Sequence, residues 1–291
     1  MFGLYIRASR ALRYAAKRHA PGLPFASYGR RIGRRLLMKR MSGAWDYSIA
    51  PVSIVRYFEF PFTLGCLPNS PGDYLDVSSP RLFSYYVAEH GLAKHIDIIN
   101  PDRSDAALTQ RIALALDIQN ITVRRSSVDS LVDCSERYDC IWAISVIEHI
   151  AEPYNDTFAI KLMFDALKRN GCLILTIPVD KKYWEEFREG IDPYGTQPTS
   201  GNGKYFFQRH YDLRAIQQRL IEPIGLEPTK VSWFGEKTPG LFQEYIQRWI
   251  REGDHCAVDD PREIADNYQE YATWDVMPGA GVCGLCIRKG A

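Results

Sequence analysis

Two stretches decide the fold of this 291-residue chain: residues 138–150, YDCIWAISVIEHI, and residues 167–178, LKRNGCLILTIP. Each holds an apolar run of strand length, as strands buried on both faces of a parallel sheet do. The Asn-Gly pair at 170–171 is typical of a helix end, so we expect a helix over residues 158–168. The two stretches therefore predict parallel strands connected by a helix.

The same alternation of strand and helix extends in both directions. It predicts strands at 74–77, 96–99, 121–123, 230–234 and 282–287, and helices at 81–91, 105–116 and 211–220. Repeated units of this kind indicate an α/β chain, a Rossmann-like doubly wound sheet that is mostly parallel, with helices on both faces. Ligands of such sheets bind beyond the carboxyl ends of the strands, so the residues that follow the early strands are the candidate site.

Taken in order, these segments resemble the class I S-adenosylmethionine-dependent methyltransferases over roughly residues 75–180. The strongest match is the strand at 138–144 with Glu148-His149 after it, followed by the turn, strand and terminal Pro178 of the second stretch. The resemblance implies S-adenosyl-L-methionine as the cofactor. It also implies that the last strand, at 282–287, runs antiparallel to its neighbours.

The resemblance also implies which residues hold the cofactor. Where the family keeps an acidic residue and a glycine-rich loop, this chain has Asp76, Ser78 and Ser79, and then Pro80, which lacks an N–H donor. Asp76 is alternatively a cap for the following helix. The full set of expected cofactor-binding residues is Asp76, Ser78, Ser79, Asn100, Ser127, Val128, Ala143 and Ser145.

Two histidines are candidates for a general base. His210 follows a loop insertion over residues 180–210, which contains Asp192, Tyr194 and Asn202 among its glycines. Long loops in compact domains tend to be lids or binding loops. His149 is the second candidate. The alternative for each is a histidine that only begins a helix.

A second insertion, over residues 236–279, predicts a helical cap. Its pattern favours two helices, 241–252 and 261–271, that carry Trp249 and several other aromatic side chains. At helical spacing most of these side chains would pack against the protein. Those left over could form an aromatic wall for a flat ligand such as a sugar.

The amino-terminal segment carries a strong positive charge. Residues 1–42 hold 11 Lys and Arg and no Asp or Glu, and the rest of the chain holds 25 basic and 35 acidic residues. We predict a basic arm over residues 1–50, whose first 18 residues form a helix that contacts an anionic membrane surface. The alternatives are an arm that is solvated or binds the protein's own acidic residues, an organellar transit peptide over residues 1–20, and a nucleic-acid contact. Residues 51–291 would then form the methyltransferase domain.

Cysteine usage favours a reducing compartment. The seven cysteines have scattered spacings, which does not suit a disulfide framework. Cys283 and Cys286 have no second pair, so we expect ordinary buried or surface cysteines and no metal site. The expected location is the cytoplasm, with attachment to a membrane periphery or import into an organelle as alternatives. The sequence predicts no oligomeric state.

The predicted function is S-adenosylmethionine-dependent methyl transfer. The favoured acceptor is a hydroxyl of a sugar, glycan or other small molecule, because the cap is rich in aromatic residues and the arm would hold the enzyme at a membrane. One alternative is a binding or scaffold module without catalysis, which the missing loop glycines favour. A nucleic-acid methyltransferase is less favoured, because only the basic arm supports it.

Overall fold

A computed structural model describes residues 2–190 and 203–290, without the side chains of Phe2, Asp254 and His255. The middle of the predicted loop insertion, including Asp192, Tyr194 and Asn202, lies outside the described residues. The chain divides into two compact units. The first unit comprises Met1–Gly65, Ile112–Gln119 and Ser232–Val282, and the second unit comprises Cys66–Arg111, Asn120–Val231 and Cys283–Ala291.

The second unit is built on a mostly parallel sheet. Its strands are β1 (Asp73–Val77), β2 (His95–Ile99), β3 (Ile121–Arg124), β4 (Tyr138–Ile144), β5 (Leu167–Val179), the start of β8 (Lys230–Glu236) and most of β10 (Gly281–Arg288), in the order β3-β2-β1-β4-β5-β10-β8. The pairs β1–β2, β1–β4, β2–β3 and β4–β5 are parallel. The strand order reverses between β1 and β4, which is where doubly wound sheets bind their ligands.

The last strand is antiparallel, as predicted. Thr229 N–H, directly before β8, donates to the Cys286 carbonyl near the end of β10 at 2.8 Å. Glu236 N–H, at the end of β8, donates to the Ala280 carbonyl directly before β10 at 3.2 Å. The start of β5 also bonds to the chain at the end of β10, because Asn170 N–H donates to the Lys289 carbonyl at 3.1 Å. In both pairs the residue numbers run in opposite directions. The predicted fold class is therefore confirmed.

Helices pack against this sheet, and the side chains buried between helices and sheet are mainly apolar. The helices are α5 (Arg81–Glu89), α6 (Arg103–Ala115), α7 (Asp156–Asp165) and the one-turn α8 (Leu213–Ile216), which continues as a π-helix to Ile221. Trp142 of β4 is fully buried, and its ring meets those of Tyr74 and Phe83 edge-on, with centroids 5.8 and 5.4 Å away. Such contacts, added to burial of the rings, fix β1, β4 and α5 together.

One helix end was predicted wrongly. Helix α7 ends at Asp165, three residues before the predicted end, and the Asn-Gly pair lies inside β5. Asn170 has φ 63, a left-handed conformation, at a point where the register of β4 against β5 shifts. The polar pair therefore marks an irregularity in a strand, which β10 holds in place by hydrogen bonds from the far end of the chain.

A β-hairpin occupies the described part of the loop insertion. Strands β6 (Trp184–Arg188) and β7 (Tyr205–His210) pair antiparallel, and a bridge joins Val179, the last residue of β5, to Tyr211, which directly follows β7. Beneath the hairpin, Asp156 is fully buried and accepts hydrogen bonds from Tyr211 OH at 2.8 Å and Arg219 Nε at 2.9 Å. Arg209 of β7 is also buried, and its Nε lies 3.7 Å from Asp156 Oδ1. A buried ion cluster thus anchors the base of the hairpin.

The first unit is mainly helical. It contains α1 (Phe2–Ala16), α2 (Leu23–Met38), α3 (Ala44–Ile49), α4 (Arg56–Leu64), α9 (Leu241–Glu252), α10 (Asp260–Asn267) and β9 (Tyr268–Tyr271), which pairs antiparallel with the end of β8. Gly33 lets α2 and α3 approach, since a Cβ there would lie 2.6 Å from the Ser48 backbone nitrogen. Asp260 is fully buried and accepts bonds from Ile54 N–H at 2.8 Å and Tyr245 OH at 3.1 Å. Burial raises the pKa of this carboxyl well above its usual value.

The second helix of the predicted cap is shorter than expected. The predicted helix over 261–271 ends at Asn267, and the four residues after it form β9. Trp233↔Tyr271 and Glu236↔Tyr268 are register partners, so the edge of β8 draws these residues into a strand. The predicted helix 241–252 has the expected bounds.

The basic segment is folded within the first unit. The small apolar side chains of α1, Ala8, Ala11 and Ala15, are buried. Tyr14 OH donates to Asp266 at 2.8 Å, and Arg7 pairs with Asp259. Part of the positive charge therefore meets the protein's own acidic residues, one of the alternatives weighed for residues 1–50. Within the described residues, no helix is long and apolar enough to cross a membrane.

Candidate functional site

The candidate site lies at the carboxyl ends of β1, β2, β3 and β4 in the second unit. Asp76 is buried at the end of β1 and caps the turn that follows. Its carboxylate accepts a hydrogen bond from Ser79 N–H at 2.8 Å and another from the Ser84 hydroxyl. Burial raises the pKa of Asp76, although both serine bonds act in the opposite direction. The side chain shapes the loop from beneath and does not reach solvent.

Ser78 connects the end of β1 to the end of β2. Its backbone N–H and its hydroxyl both donate to the Ile99 carbonyl, each at 2.9 Å. The residue has φ 52, in the left-handed region that glycine adopts without steric cost and other residues rarely occupy. The loop therefore keeps a backbone bend of the kind glycine permits, although a serine makes it.

Ser79 and Ser145 connect the next strand ends. Ile144 N–H donates to Ser79 Oγ at 2.9 Å, and Ser145 N–H donates to the Thr176 carbonyl at 3.0 Å, which joins β1 to β4 and β4 to β5. Ser145 also has a left-handed backbone, with φ 48. Ala143, the second-last residue of β4, is fully buried. Non-glycine residues in such conformations collect at ligand sites.

Asn100 lies at the end of β2 within a polar network. Its amide donates to Asp105 Oδ2 at 2.8 Å, and its side-chain oxygen accepts from Asp102 N–H at 2.9 Å. Arg81, the first residue of α5, pairs with Asp105 and donates to Thr109 Oγ1 at 3.0 Å. The sequence analysis did not single out Arg81. Its position directly after Pro80 was the available signal, since that places it at the same strand ends.

The end of β3 adds an apolar side to the candidate site. Val128 is buried in a short 3₁₀ turn, Val128–Leu131, and the Ser127 hydroxyl bonds to the Asp129 carboxylate. Ser127 is therefore engaged with its own turn. The predicted residues Ser78, Ser79, Asn100, Ser127, Val128 and Ser145 all follow the ends of adjacent parallel strands, as the sequence reasoning required.

His210 is enclosed within the hairpin. Trp184 stacks on its ring, with centroids 3.9 Å apart and planes within 3°, and its Nε2 lies 3.2 Å from Glu186 Oε2. The residue is only 6% exposed. Burial would raise the pKa of Glu186, but hydrogen bonds from His210 and Arg188 outweigh burial and lower it. The structure therefore encloses the histidine that the sequence favoured as the base.

His149 lies closer to the carboxyl ends of the sheet and also contacts the hairpin. Its Nδ1 is 2.6 Å from the Phe207 carbonyl oxygen, and its ring meets the Phe207 ring edge-on at 5.0 Å. A carbonyl only accepts, so Nδ1 carries the hydrogen and Nε2 is the basic nitrogen of the neutral ring. The side chain is partly exposed, at 21%. Of the two predicted bases, His149 has the better access to a ligand.

The buried cluster of Asp156, Arg209 and Arg219 was not expected from the sequence. No local pattern predicts it, since Asp156 lies more than 50 residues from either arginine. In the part of the chain that the structure describes, no group of three or more His, Cys, Asp or Glu residues is arranged to hold a metal ion.

Solved structures with the same arrangement are distant in sequence. The chain matches the [4+2]-cyclase SpnF with a TM-score of 0.51 at 18% identity, over 80% of each chain. It matches coclaurine N-methyltransferase, bound to N-methylheliamine and SAH, with a TM-score of 0.50 at 11% identity, over 79% of this chain and 69% of that one. It matches YcgJ from Bacillus subtilis with a TM-score of 0.50 at 10% identity, over 80% of this chain and 98% of that one.

No family model and no curated protein matches the sequence. The structural matches confirm the predicted Rossmann-like α/β fold, which this chain shares with a cyclase and with an N-methyltransferase. At these identities they show the fold alone. SpnF, a cyclase by its name, illustrates that one fold supports more than one chemistry.

Proposed function

We propose that this chain is an S-adenosylmethionine-dependent methyltransferase that acts on a small molecule, with a sugar hydroxyl as the favoured acceptor. The observation that carries the proposal is the pair of left-handed serines, Ser78 and Ser145, at the ends of β1 and β4. These are the two strands between which the strand order reverses. Strained backbone at that point favours a ligand site over a merely structural turn.

The residues at this edge fit the cofactor. Ser78 supplies the bend that a glycine-rich loop normally provides, and Asn100 supplies a side chain able to donate and accept. Val128 supplies an apolar surface beside them. Ser78, Ser79, Asn100, Val128 and Ser145 would hold S-adenosylmethionine. When bound, this cofactor supplies a methyl group that is already activated for transfer.

His149 would act on the acceptor. A sugar hydroxyl has a high pKa, so a base within hydrogen-bond reach of its proton speeds transfer. The Phe207 carbonyl fixes the ring so that Nε2 can take this proton. His210 would support the hairpin through Glu186 and Trp184 and so act as a positioning residue.

The hairpin supports a sugar as the acceptor. Trp184 and Phe187 of β6 are both partly exposed, at 41% and 43%. Exposed aromatic rings offer flat apolar faces, and the Trp184 indole N–H donates to Asp180 Oδ2 at 3.0 Å, which fixes its ring. A flat, fixed ring suits the apolar face of a sugar ring.

A binding module without catalysis is the second candidate, and the same loop favours it. The N–H groups of Ser78, Ser79, Ile144 and Ser145 all bond within the protein, and Pro80 has none. In this arrangement a cofactor at the loop would rely on other polar groups. Such a module would bind a ligand or partner and transfer nothing.

Incubation with S-adenosylmethionine labelled in its methyl group distinguishes the two candidates. The substrates would be a panel of sugars, small amines and duplex DNA, and the readout is label in the separated products. The methyltransferase proposal predicts label in a sugar and none in DNA. Label in an amine alone would contradict the sugar acceptor. Cofactor binding without label in any substrate would favour the binding module.

A further inference from the structure

The membrane contact predicted for the basic segment has a specific structural difficulty. An interfacial helix inserts its apolar side into the lipid boundary. In α1 that side is the row Ala8, Ala11 and Ala15, which is buried in the first unit. This alanine row therefore cannot enter a membrane, and the exposed part of α1 is mainly basic, with Ile6 as an exposed apolar side chain.

The outward side of α1 keeps an unneutralised charge. Arg10, Arg13 and Lys17 are exposed and recur at helical spacing. Arg7 and Arg18 pair with Asp259 and Asp266, but no described carboxylate forms an ion pair with the other three. Arg10 and Arg13 on α1, with Lys17 directly after its last residue, make a stripe of positive potential.

A cavity adjoins this stripe. It has a volume of about 450 Å³ and is lined by Gly3, Ile6, Arg7, Arg10, Ala11, Asp259 and Arg262. Three of these residues are arginines against one carboxylate, so the lining is net positive. Arginine is suited to phosphate because its planar donors match the oxygens in pairs. The cavity therefore suits an anionic headgroup.

Helix α9, in the same unit, presents two large apolar side chains that are more exposed than Ile6 of α1. Tyr245 of α9 is buried, whereas Trp249 is 42% and Ile250 72% exposed. Arg248 is held by Glu263 at 2.8 Å, and the side chain of Arg251 is 71% exposed. An exposed Trp and Ile beside arginine on a strongly amphipathic helix is the pattern of a helix that lies in the membrane interface.

The end of α9 lies near the start of α1. Arg7 of α1 pairs with Asp259, the last residue of the 3₁₀ turn Gly253–Asp259 that directly follows α9. The apolar pair of α9 and the cations of α1 thus belong to neighbouring parts of one unit. Their chemistry matches the two layers of a membrane surface, apolar groups for the acyl boundary and cations for the headgroups.

We propose that α9 and the basic side of α1 form one lipid-binding surface, in which Trp249 and Ile250 enter an anionic bilayer interface while Arg10, Arg13 and Lys17 contact headgroups. Charge complementarity favours an anionic bilayer over a second copy of this chain, because two copies of the same cationic stripe would repel. The surface is independent of methyl transfer.

Vesicle sedimentation of the full chain tests the surface. We expect binding to vesicles of phosphatidylcholine with roughly 30% phosphatidylglycerol, whose anionic headgroups attract a polybasic face, and little binding to pure phosphatidylcholine. Replacing Arg10, Arg13 and Lys17 together by Gln should weaken binding at least about tenfold, as should Trp249→Ala with Ile250→Ser. The matched controls are Arg169→Gln and Leu114→Ser, which remove an exposed cation and an exposed apolar side chain elsewhere and should leave binding unchanged.

Three results would overturn the proposal. Equal binding to both vesicle types would show that the cations do not contact anionic headgroups. Unchanged binding by the α9 double variant would show that Trp249 and Ile250 do not enter the membrane. Sedimentation equilibrium is the third measurement. If the wild type is a dimer and the α9 double variant is a monomer, Trp249 and Ile250 contact a second copy of the chain and not a membrane. Circular dichroism of each variant establishes that it is folded, so that lost binding is not lost structure.

Discussion

The backbone N–H of Ile144 donates a hydrogen bond to Ser79 Oγ at 2.9 Å. A side chain of the loop after β1 thus accepts the hydrogen bond of a backbone N–H at the end of β4. The hydroxyls of Ser78 and Ser79 join this loop to the ends of β2 and β4. The candidate site is therefore built from the same bonds that close the edge of the sheet.

Ser79→Ala should destabilise the protein by about 1–3 kcal/mol, because it leaves a buried N–H without its acceptor. Urea unfolding at pH 7 measures the change in free energy. Ser130→Ala is the control, since it removes an exposed hydroxyl that bonds to the Ser127 carbonyl and should cost much less. Equal costs for the two variants would show that the bond to Ile144 has no special weight.

Asp156→Ala should cost about 3–5 kcal/mol, because it leaves Arg209 and Arg219 without their buried partner. The same unfolding experiment measures it. Glu136→Ala removes an exposed partner of Arg169, 3.9 Å away, and should change stability by less than about 1 kcal/mol. A small effect of Asp156→Ala would mean that the hairpin is anchored by its apolar contacts.

His149→Gln should lower turnover about 10²- to 10⁴-fold, the usual contribution of a general base, with the cofactor affinity unchanged. His210→Gln should affect turnover less, because that ring is enclosed by Trp184 and Glu186. Steady-state kinetics with the acceptor found in the labelling experiment measure both. A larger loss for His210→Gln would reverse the two roles.

Glu186 should make the fold sensitive to acid. Its folded-state pKa is lowered from 4.5, so the carboxylate contributes stability above about pH 4.5 that is lost as the pH falls through the folded value. The free energy of unfolding between pH 7 and pH 3 should therefore fall more steeply for the wild type than for Glu186→Gln. Glu227→Gln, an exposed control, should behave as the wild type. Parallel curves for all three proteins would contradict the lowered pKa.

Sequence reasoning placed the sheet and the edge that carries the candidate site. Runs such as 172–177 are apolar enough to identify buried strands, and the ends of parallel strands meet by topology. The prediction of a helix end at Asn170-Gly171 was wrong because the residue that holds this pair in a strand, Lys289, lies at the other end of the chain. Strand β9 was missed for the same reason, since its partner β8 is outside any local window.

The sequence also does not predict which basic residues of α1 form ion pairs and which are exposed. Arg7 and Arg13 look alike in the helical pattern, but Arg7 meets Asp259 and Arg13 faces outward. His149 and His210 were distinguished only by the fold, which encloses His210 under Trp184. Periodicity predicts which side of an element is polar and leaves open what that side meets.

Calorimetric titration with S-adenosylhomocysteine tests the central claim most directly, that the left-handed serine at the end of β1 forms a cofactor site. The wild type should bind with micromolar affinity. Ser78→Val should weaken binding at least about tenfold, since a β-branched residue is strained at this φ. Asp117→Val, at another left-handed position with φ 61, should not weaken it. No binding by the folded wild type at millimolar ligand would contradict the claim.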